Sequence, residues 1–348
     1  MKVTDVEVTA RRFEVNENPV SDAMKSLPGT GVTHVTVRTD EGISGEGEMY
    51  FGRIAGGPDA LAALIEHVLK PLVVGSDVAM VRATHEAMLR ETEYAGSFGL
   101  AMWGIAALDT ALWDCLGKAH GVPCWKLWGA VHDRLPAYAM VGWLNYPDDE
   151  VQRICAKAVE QGFPAVKIKV GYPTLAEDVA RVKTVRKAIG DGIGLMVDAN
   201  QALTTTEAIR RGRAFEDLGC VWWEEPLPAQ DIDGYADLAA ALDIPIATGE
   251  NLYTPQDFAR FLRRDAVDII QPDLRRGGGP TALLQIGMMA AGFGRRYASH
   301  GGEAAHLNVM ACLPNAYYLE TGLLSPDSPM KLVDGCVPIP RGAGFGWE

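Results

Sequence analysis

Four short runs decide the fold: AVKIKV at 165–170, GIGLMVDAN at 192–200, CVWWEE at 220–225 and PIATGE at 245–250. Each is rich in β-branched or aromatic residues and is bounded by glycine, proline or acidic turn residues, which reads as a short buried strand. Between them lie stretches of helical period at 174–188, 204–218 and 235–242. Working outward, the same alternation continues at 137–142, 268–273, 296–300 and 317–322, with a further helical stretch at 255–263. Eight strands with helical segments between them imply a parallel sheet, and their regular spacing fits a closed (β/α)8-type barrel. An open doubly wound sheet is the rival, but no G-x-G-x-x-G follows the first strand.

Strand parity then separates the barrel interior from the helix-facing side. In AVKIKV, Lys167 and Lys169 share one face while Val166, Ile168 and Val170 share the other. The apolar face must meet the helices, so both lysines point inward, where an unpartnered ammonium is costly. By the same test Asp198 and Asn200 oppose Leu195 and Val197, and Glu224 goes with Trp222. Glu250 goes with Thr248 and Ile246, Asp273 with Gln271, His300 with Ala298 and Glu320 with Tyr318. These polar residues fall at the C-terminal ends of their strands, the face on which (β/α)8 enzymes build active sites. Taken singly, a strand-end carboxylate is more often a helix cap or a salt-bridge partner, and Glu225 before Pro226 reads that way. His34, His85, His132 and His306 read as structural or surface residues. So many inward ionisable groups on one rim are another matter, because only a bound ion or substrate offsets that much desolvation.

Three carboxylates from consecutive strands, Asp198, Glu224 and Glu250, recur at intervals of 26 residues. Hard oxygen ligands of this kind suit Mg2+ with positions left open, and the lack of Cys or His among them disfavours Zn2+. Lys167 beside Lys169 is a like-charge pair, expected to depress one ammonium toward useful base strength. Asp273 is placed to hold the imidazole of His300, fixing its tautomer and raising its basicity. Glu320, if protonated, would donate to a developing oxyanion. The set suits abstraction of the proton α to a carboxylate.

The rest of the chain bounds this reading. It has 348 residues, 48% hydrophobic and 22% charged, enough for two domains or one decorated barrel. A net charge of −13 without a basic block argues against nucleic acid and anionic membrane partners. The uncharged run 277–294 holds six glycines, Pro280, Thr281 and Gln285, so it reads as a buried helix rather than a membrane span. The N-terminus has no apolar core typical of a secretory signal, and six cysteines lie scattered without C-x-x-C spacing. A reduced, cytoplasmic protein is expected. Residues 1–55 read as an antiparallel meander interrupted by a long polar loop at 16–31, expected to be mobile. Helical periods follow at 59–69, 76–90 and 98–120.

Lys167-Ile-Lys169, Val197-Asp198-Ala-Asn200, Trp223-Glu224-Glu225-Pro226, Gly249-Glu250-Asn251, Asp273, His300 and the Glu320 of Tyr-Leu-Glu-Thr together resemble the enolase superfamily, most of all its mandelate racemase subgroup. The resemblance covers nearly the whole chain. It departs at Arg275-Arg276-Gly, where the family commonly has a lysine before the glycines, and at 301–306. It implies an N-terminal α+β capping domain at 1–125, a modified (β/α)7β barrel at 126–325, and a segment at 326–348 that packs back on the cap. It also implies Mg2+ on Asp198, Glu224 and Glu250, with Lys169 and the His300–Asp273 pair on opposite faces of a bound carboxylate and Glu320 on the carboxylate oxygen. The cap loops would set substrate identity, with Lys25, Tyr50, Arg53 and Trp143 as candidate contacts, and the chain would form a homo-oligomer. The expected reaction is dehydration of an acid sugar, an aldonate or aldarate, to a 2-keto-3-deoxy acid. A racemase, epimerase or sugar-lactone cycloisomerase using the same bases is the alternative; a metal-dependent aldolase and a non-catalytic scaffold barrel fit less well.

Overall fold

Strand-forming residues at the N-terminus bury one face: Val3 and Val6 of β1 (Val3–Arg12) are buried on either side of a register shift, and Val35 and Val37 of β4 (Gly31–Thr39) alternate with less buried neighbours. With β5 (Ser44–Phe51) they form an antiparallel sheet in the order β1-β4-β5 in a computed structural model that describes residues 1–14 and 16–347. The helix Leu100–Ala119 lies across this sheet. It approaches because β5 carries Gly45 and Gly47, where a Cβ would stand 2.0 Å from the carbonyl oxygen of Ala111 and 2.1 Å from that of Ala107. The loop between β1 and β4 is less open than its composition predicts. It contains a small hairpin, β2 (Val20–Ser21) with β3 (Ser26–Leu27), pinned to the barrel by Ser21 N–H on Asn145 Oδ1 at 2.9 Å and Leu144 N–H on the Ser21 carbonyl at 2.9 Å.

The second body is a parallel sheet of eight strands: β6 (Arg134–Gly142), β7 (Ala165–Lys169), β8 (Gly194–Asp198), β9 (Trp223–Glu224), β10 (Ile246–Thr248), β11 (Ile269–Ile270), β12 (Arg296–Tyr297) and β13 (Leu319–Thr321). The order runs β12-β11-β10-β9-β8-β7-β6-β13, and the ends meet through a parallel bridge between Tyr297 and Ala316, with Tyr317 N–H on the Tyr297 carbonyl at 2.7 Å. Seven helices connect the strands among the described residues, giving a (β/α)7β barrel. Their starts carry the expected local signals, such as the capping boxes Thr174/Glu177 and Thr254/Asp257. Inside, Tyr138, Ala165, Met196, Trp222, Ala247, Ile269 and Ala298 form the apolar floor on which the site stands.

The two bodies are joined by polar contacts as well as apolar ones. Buried Asp109 of the helix Leu100–Ala119 accepts from Thr281 N–H at 2.8 Å and Thr281 Oγ1 at 2.7 Å, at the start of the barrel helix Pro280–Gly292. His85 Nε2 lies 3.0 Å from the Gly278 carbonyl. The C-terminal segment first adds a strand to the barrel, β14 (Cys336–Pro338) antiparallel to β6, and then reaches the cap, where Phe345 N–H donates to Asp114 Oδ1 at 3.0 Å. Helix Pro280–Gly292, within the uncharged run, packs into the barrel layer, and no helix among the described residues is long and apolar enough to cross a membrane. All six cysteines are free.

Candidate active site

Alternation on β7, which places Ala165 on the barrel floor, also sends Lys167 and Lys169 inward, and both are buried. Lys167 Nζ lies 2.5 Å from Glu224 Oε1 and 2.5 Å from Glu320 Oε2; Lys169 Nζ lies 2.5 Å from Asp198 Oδ2. Above the floor residue Trp222, Glu224 Oε2 accepts from the Trp222 indole N–H at 2.9 Å and the Gln271 amide at 2.8 Å. Asp198 Oδ1 accepts from the backbone N–H of Asn200 at 2.8 Å.

Glu250 reaches the same place by a different route from the one its parity suggests. Ala247 lies on the barrel floor and Ile246 packs in the outer layer, so simple alternation would turn Glu250 outward. Gly249 interrupts the alternation with φ +143°, and a Cβ there would meet Phe258 at 2.8 Å and the Gln271 backbone at 2.9 Å. Only glycine fits, and the break redirects Glu250 into the barrel.

One carboxylate oxygen from each of Asp198, Glu224 and Glu250 lies within 4.8 Å of the others. That matches the width of an oxygen shell about 2.0 to 2.6 Å from one hard divalent cation. Glu250 Oε2 is buried without a hydrogen-bond donor, as expected of a ligand atom. The donor set, all carboxylate oxygen, fits such a cation.

Beyond the trio, His300 Nδ1 lies 2.7 Å from Asp273 Oδ2 and His300 Nε2 lies 3.2 Å from Glu250 Oε2. A parallel bridge between Asp273 and His300 fixes the two strand ends side by side. The trio is therefore bracketed by Lys169 near Asp198 and by His300 near Glu250.

The electrostatics correct two expectations. Burial is the largest influence on Lys169 and works against its charged form, as does Lys167, but Asp198, Glu250 and Glu224 together outweigh both, so the pKa of Lys169 is raised rather than depressed. Lys167, between Glu224 and Glu320, is raised further. Glu320 is not held protonated: burial raises its pKa, yet Lys167, His300 and the hydrogen bonds from Lys167 and Tyr138 hold it far below the usual carboxylate range. Tyr138 O–H donates at 2.6 Å and the Gly301 N–H at 3.0 Å, so Glu320 acts as an acceptor. Burial pushes Glu224 up to about 7 against the pull of Lys167. It also raises Glu250, but His300, Arg276 and Lys169 bring that residue down to about 2. For His300, burial lowers the pKa while Glu250 and Asp273 raise it, and the net shift is upward.

Arg275 and Arg276, where the family pattern departs, enter the network. Arg275 Nη2 donates to Asp273 Oδ2 at 2.8 Å, and Arg276 Nη1 donates to the Glu250 carbonyl at 2.7 Å, with Oε1 at 3.2 Å. Glu225 is neither a helix cap nor a salt-bridge partner. It is fully buried with φ +38°, it accepts from Asn251 Nδ2 at 2.9 Å on each oxygen, and burial with Glu250 and Asp198 nearby holds its pKa high. The doubled acid before Pro226 was the available signal. His306 is structural: it is buried, bonded to Tyr297 O–H at 2.7 Å and pushed down to about 3 by burial.

Of the candidate contacts, Trp143 lies beside Lys169, 5.6 Å from ring centroid to Nζ, and Asn200 is buried with Oδ1 unpartnered. Tyr50 is 44% exposed and contacts Phe13, at 5.9 Å between ring centroids, and Gly29, both in the cap. Lys25 is exposed. Arg53 is the cap residue whose charge reaches the cluster. It pairs with Asp22 of the hairpin, and burial lowers its pKa while Glu250, Arg276, Glu225 and Asp198 act on it.

Residues 5–129 match the mandelate racemase/muconate lactonizing enzyme N-terminal domain, and residues 150–348 match the enolase C-terminal domain-like family. The L-talarate/galactarate dehydratase of Salmonella typhimurium is 37% identical over 339 residues, 94% of this chain and 84% of the relative. The crystal structure of that dehydratase liganded with Mg and L-lyxarohydroxamate aligns with a TM-score of 0.91 at 35% identity, over 100% of this chain and 91% of the other. Arabinonate dehydratase of Saccharolobus solfataricus is 34% identical over 313 residues, 88% of this chain and 83% of the relative. A racemase from Streptomyces coelicolor, solved with bound magnesium, aligns with a TM-score of 0.92 at 30% identity, over 99% and 96% of the two chains. The chain belongs to the mandelate racemase/muconate lactonizing enzyme family, with a barrel of the enolase type.

Proposed function

We propose that this protein is a Mg2+-dependent acid-sugar dehydratase that converts an aldonate or aldarate to a 2-keto-3-deoxy acid. The observation that carries the reading is the bracketing of three clustered carboxylates by Lys169 on one side and the His300–Asp273 pair on the other. Bound on Asp198, Glu224 and Glu250, the cation would take up carboxylate charge and stabilise the negative charge that develops on the substrate's carboxylate oxygens. On its side of the site Lys169, once its ammonium has given a proton to solvent, would accept the α-proton on the freed nitrogen. For the opposite configuration at C2, His300 takes that role.

The electron pair of the broken C–H bond enters the carboxylate system, then re-forms as the C2–C3 double bond while the β C–O bond breaks. His300, as imidazolium, protonates the departing hydroxyl to water from Nε2, while Asp273 on Nδ1 orients the ring and stabilises its charge. The enol then tautomerises to the ketone. Lys167, fixed between Glu224 and Glu320, supplies standing positive charge for the substrate carboxylate. The unpartnered Oδ1 of Asn200 accepts a substrate hydroxyl, and Trp143 walls the site beside Lys169.

Screening acid sugars with Mg2+ for 2-keto product tests this, and absence of turnover for every member overturns it. The same two-sided set of bases supports a second reading, 1,1-proton transfer as in a racemase or epimerase. Exchange of the α-proton with D2O without loss of water would select that reading.

A further inference from the structure

The loop that follows His300 contains a carboxylate that no step above uses. Glu303 folds back over Gly301: a Cβ on Gly301 would stand 2.7 Å from Glu303 Oε2 and 3.1 Å from Oε1, and Gly301 has φ +83°. The backbone N–H of Gly301 donates to Glu320 Oε1 at 3.0 Å, so Glu303, Glu320 and His300 are arranged around one short turn. Glu303 Oε2 is buried and has no hydrogen-bond partner. Oε1 lies 3.7 Å from Arg275 Nη2, beyond hydrogen-bond range, because Arg275 directs its donors to Asp273.

Oε2 is covered although the Glu303 side chain is 36% exposed overall, and a carboxylate oxygen shielded from solvent without a donor is costly, so it calls for a partner from outside the protein. Arg275 balances the charge of Glu303 without saturating its oxygens. A neighbouring carboxylate on the ligand would be repelled, whereas a hydroxyl would supply the missing donor.

We propose that Glu303 is a specificity-determining residue whose Oε2 accepts a hydrogen bond from a hydroxyl of the substrate, on the His300 side of the site. The assignment rests on the acid-sugar reading above, because it needs a polyhydroxylated substrate. It also places the hydroxyl-bearing part of the substrate, not a second carboxylate, against this loop.

The test compares the unsubstituted enzyme with Glu303→Ala and Glu303→Gln on a turned-over acid sugar and on analogues each lacking one hydroxyl. Thermal unfolding checks that both variants fold. Loss of the bond is expected to lower kcat/KM about 10- to 100-fold in Glu303→Ala, with Glu303→Gln, which keeps an acceptor, less affected. For one analogue the penalty shown by the unsubstituted enzyme should vanish in Glu303→Ala, a change that a purely structural role would not produce. Turnover with unchanged kcat/KM and unchanged discrimination among the analogues overturns the assignment and leaves the acid-sugar reading intact. Absence of turnover of any acid sugar by the unsubstituted enzyme overturns both.

Discussion

Glu250→Gln is the sharpest test of how the cluster is held together. Glu250 is buried, and although burial raises its pKa, His300, Arg276 and Lys169 bring it from 4.5 to about 2. Because the folded value lies below the unfolded one, the stabilisation is present in full above pH 4.5 and is lost as pH falls toward 2. The shift corresponds to about 3 kcal/mol at neutral pH, at about 1.4 kcal/mol per unit. With an unfolding entropy of about 2 cal/mol/K per residue, a chain of 348 residues converts this into a fall of roughly 4 °C in Tm for the metal-free protein. The variant should also lose most of the further rise that Mg2+ gives the unsubstituted protein, which is about 2.7 kcal/mol at a hundred times Kd. Differential scanning calorimetry at pH 7, with EDTA and then with MgCl2, measures both effects. Equal melting temperatures in EDTA together with an equal response to Mg2+ would refute the placement of Glu250 as both an ion-pair partner and a ligand.

The other expectations concern neighbouring groups. Arg276→Met removes the donor to the Glu250 carbonyl and Oε1 and should raise the Mg2+ Kd about 10- to 100-fold by calorimetric titration, with no change counting against it. Lys169→Ala and His300→Ala, assayed with saturating Mg2+ on any substrate found, should each lower kcat by about 10²- to 10⁴-fold; a variant keeping a tenth of the activity is not missing an essential base. His306 is held neutral by burial, with a pKa lowered from 6.5 to about 3. Its contribution is therefore complete above pH 6.5 and falls by up to about 1.4 kcal/mol per pH unit below that. Urea unfolding of His306→Gln should show a shallower loss of stability between pH 6.5 and 4 than the unsubstituted protein, and parallel curves would contradict the burial argument.

Much of the site was legible because β-strand geometry converts sequence parity directly into direction. Lys167, Lys169, Asp198, Glu224 and Asp273 follow simple alternation, and the structure places them around one interior. Glu250 points inward although the alternation that predicts it breaks at the end of its own strand, since the chain inverts at Gly249. Glu225 escaped because a positive φ turns it back toward Asp198 and Glu250, which no periodicity records. The ionisation of Lys169 and Glu320 departs from what spacing suggests for a related reason. Sequence shows which charges are close along the chain, such as the two lysines, but the charges that other strands bring up decide the balance: Asp198, Glu250 and Glu224 for Lys169, and Lys167 and His300 for Glu320.

By itself the sequence determined the alternating strand and helix segments, the inward lysines and the three equally spaced acids, because each depends on local spacing alone. Only the tertiary structure decided how these charges pair, that Arg53 arrives from the cap, that Arg275 and Arg276 grip Asp273 and Glu250, and that Glu303 is left with an unanswered acceptor. Apart from Arg275 on Asp273, two residues away, those contacts join residues distant in the chain, and the strength of all of them depends on distance and burial, which exist only once the barrel has closed.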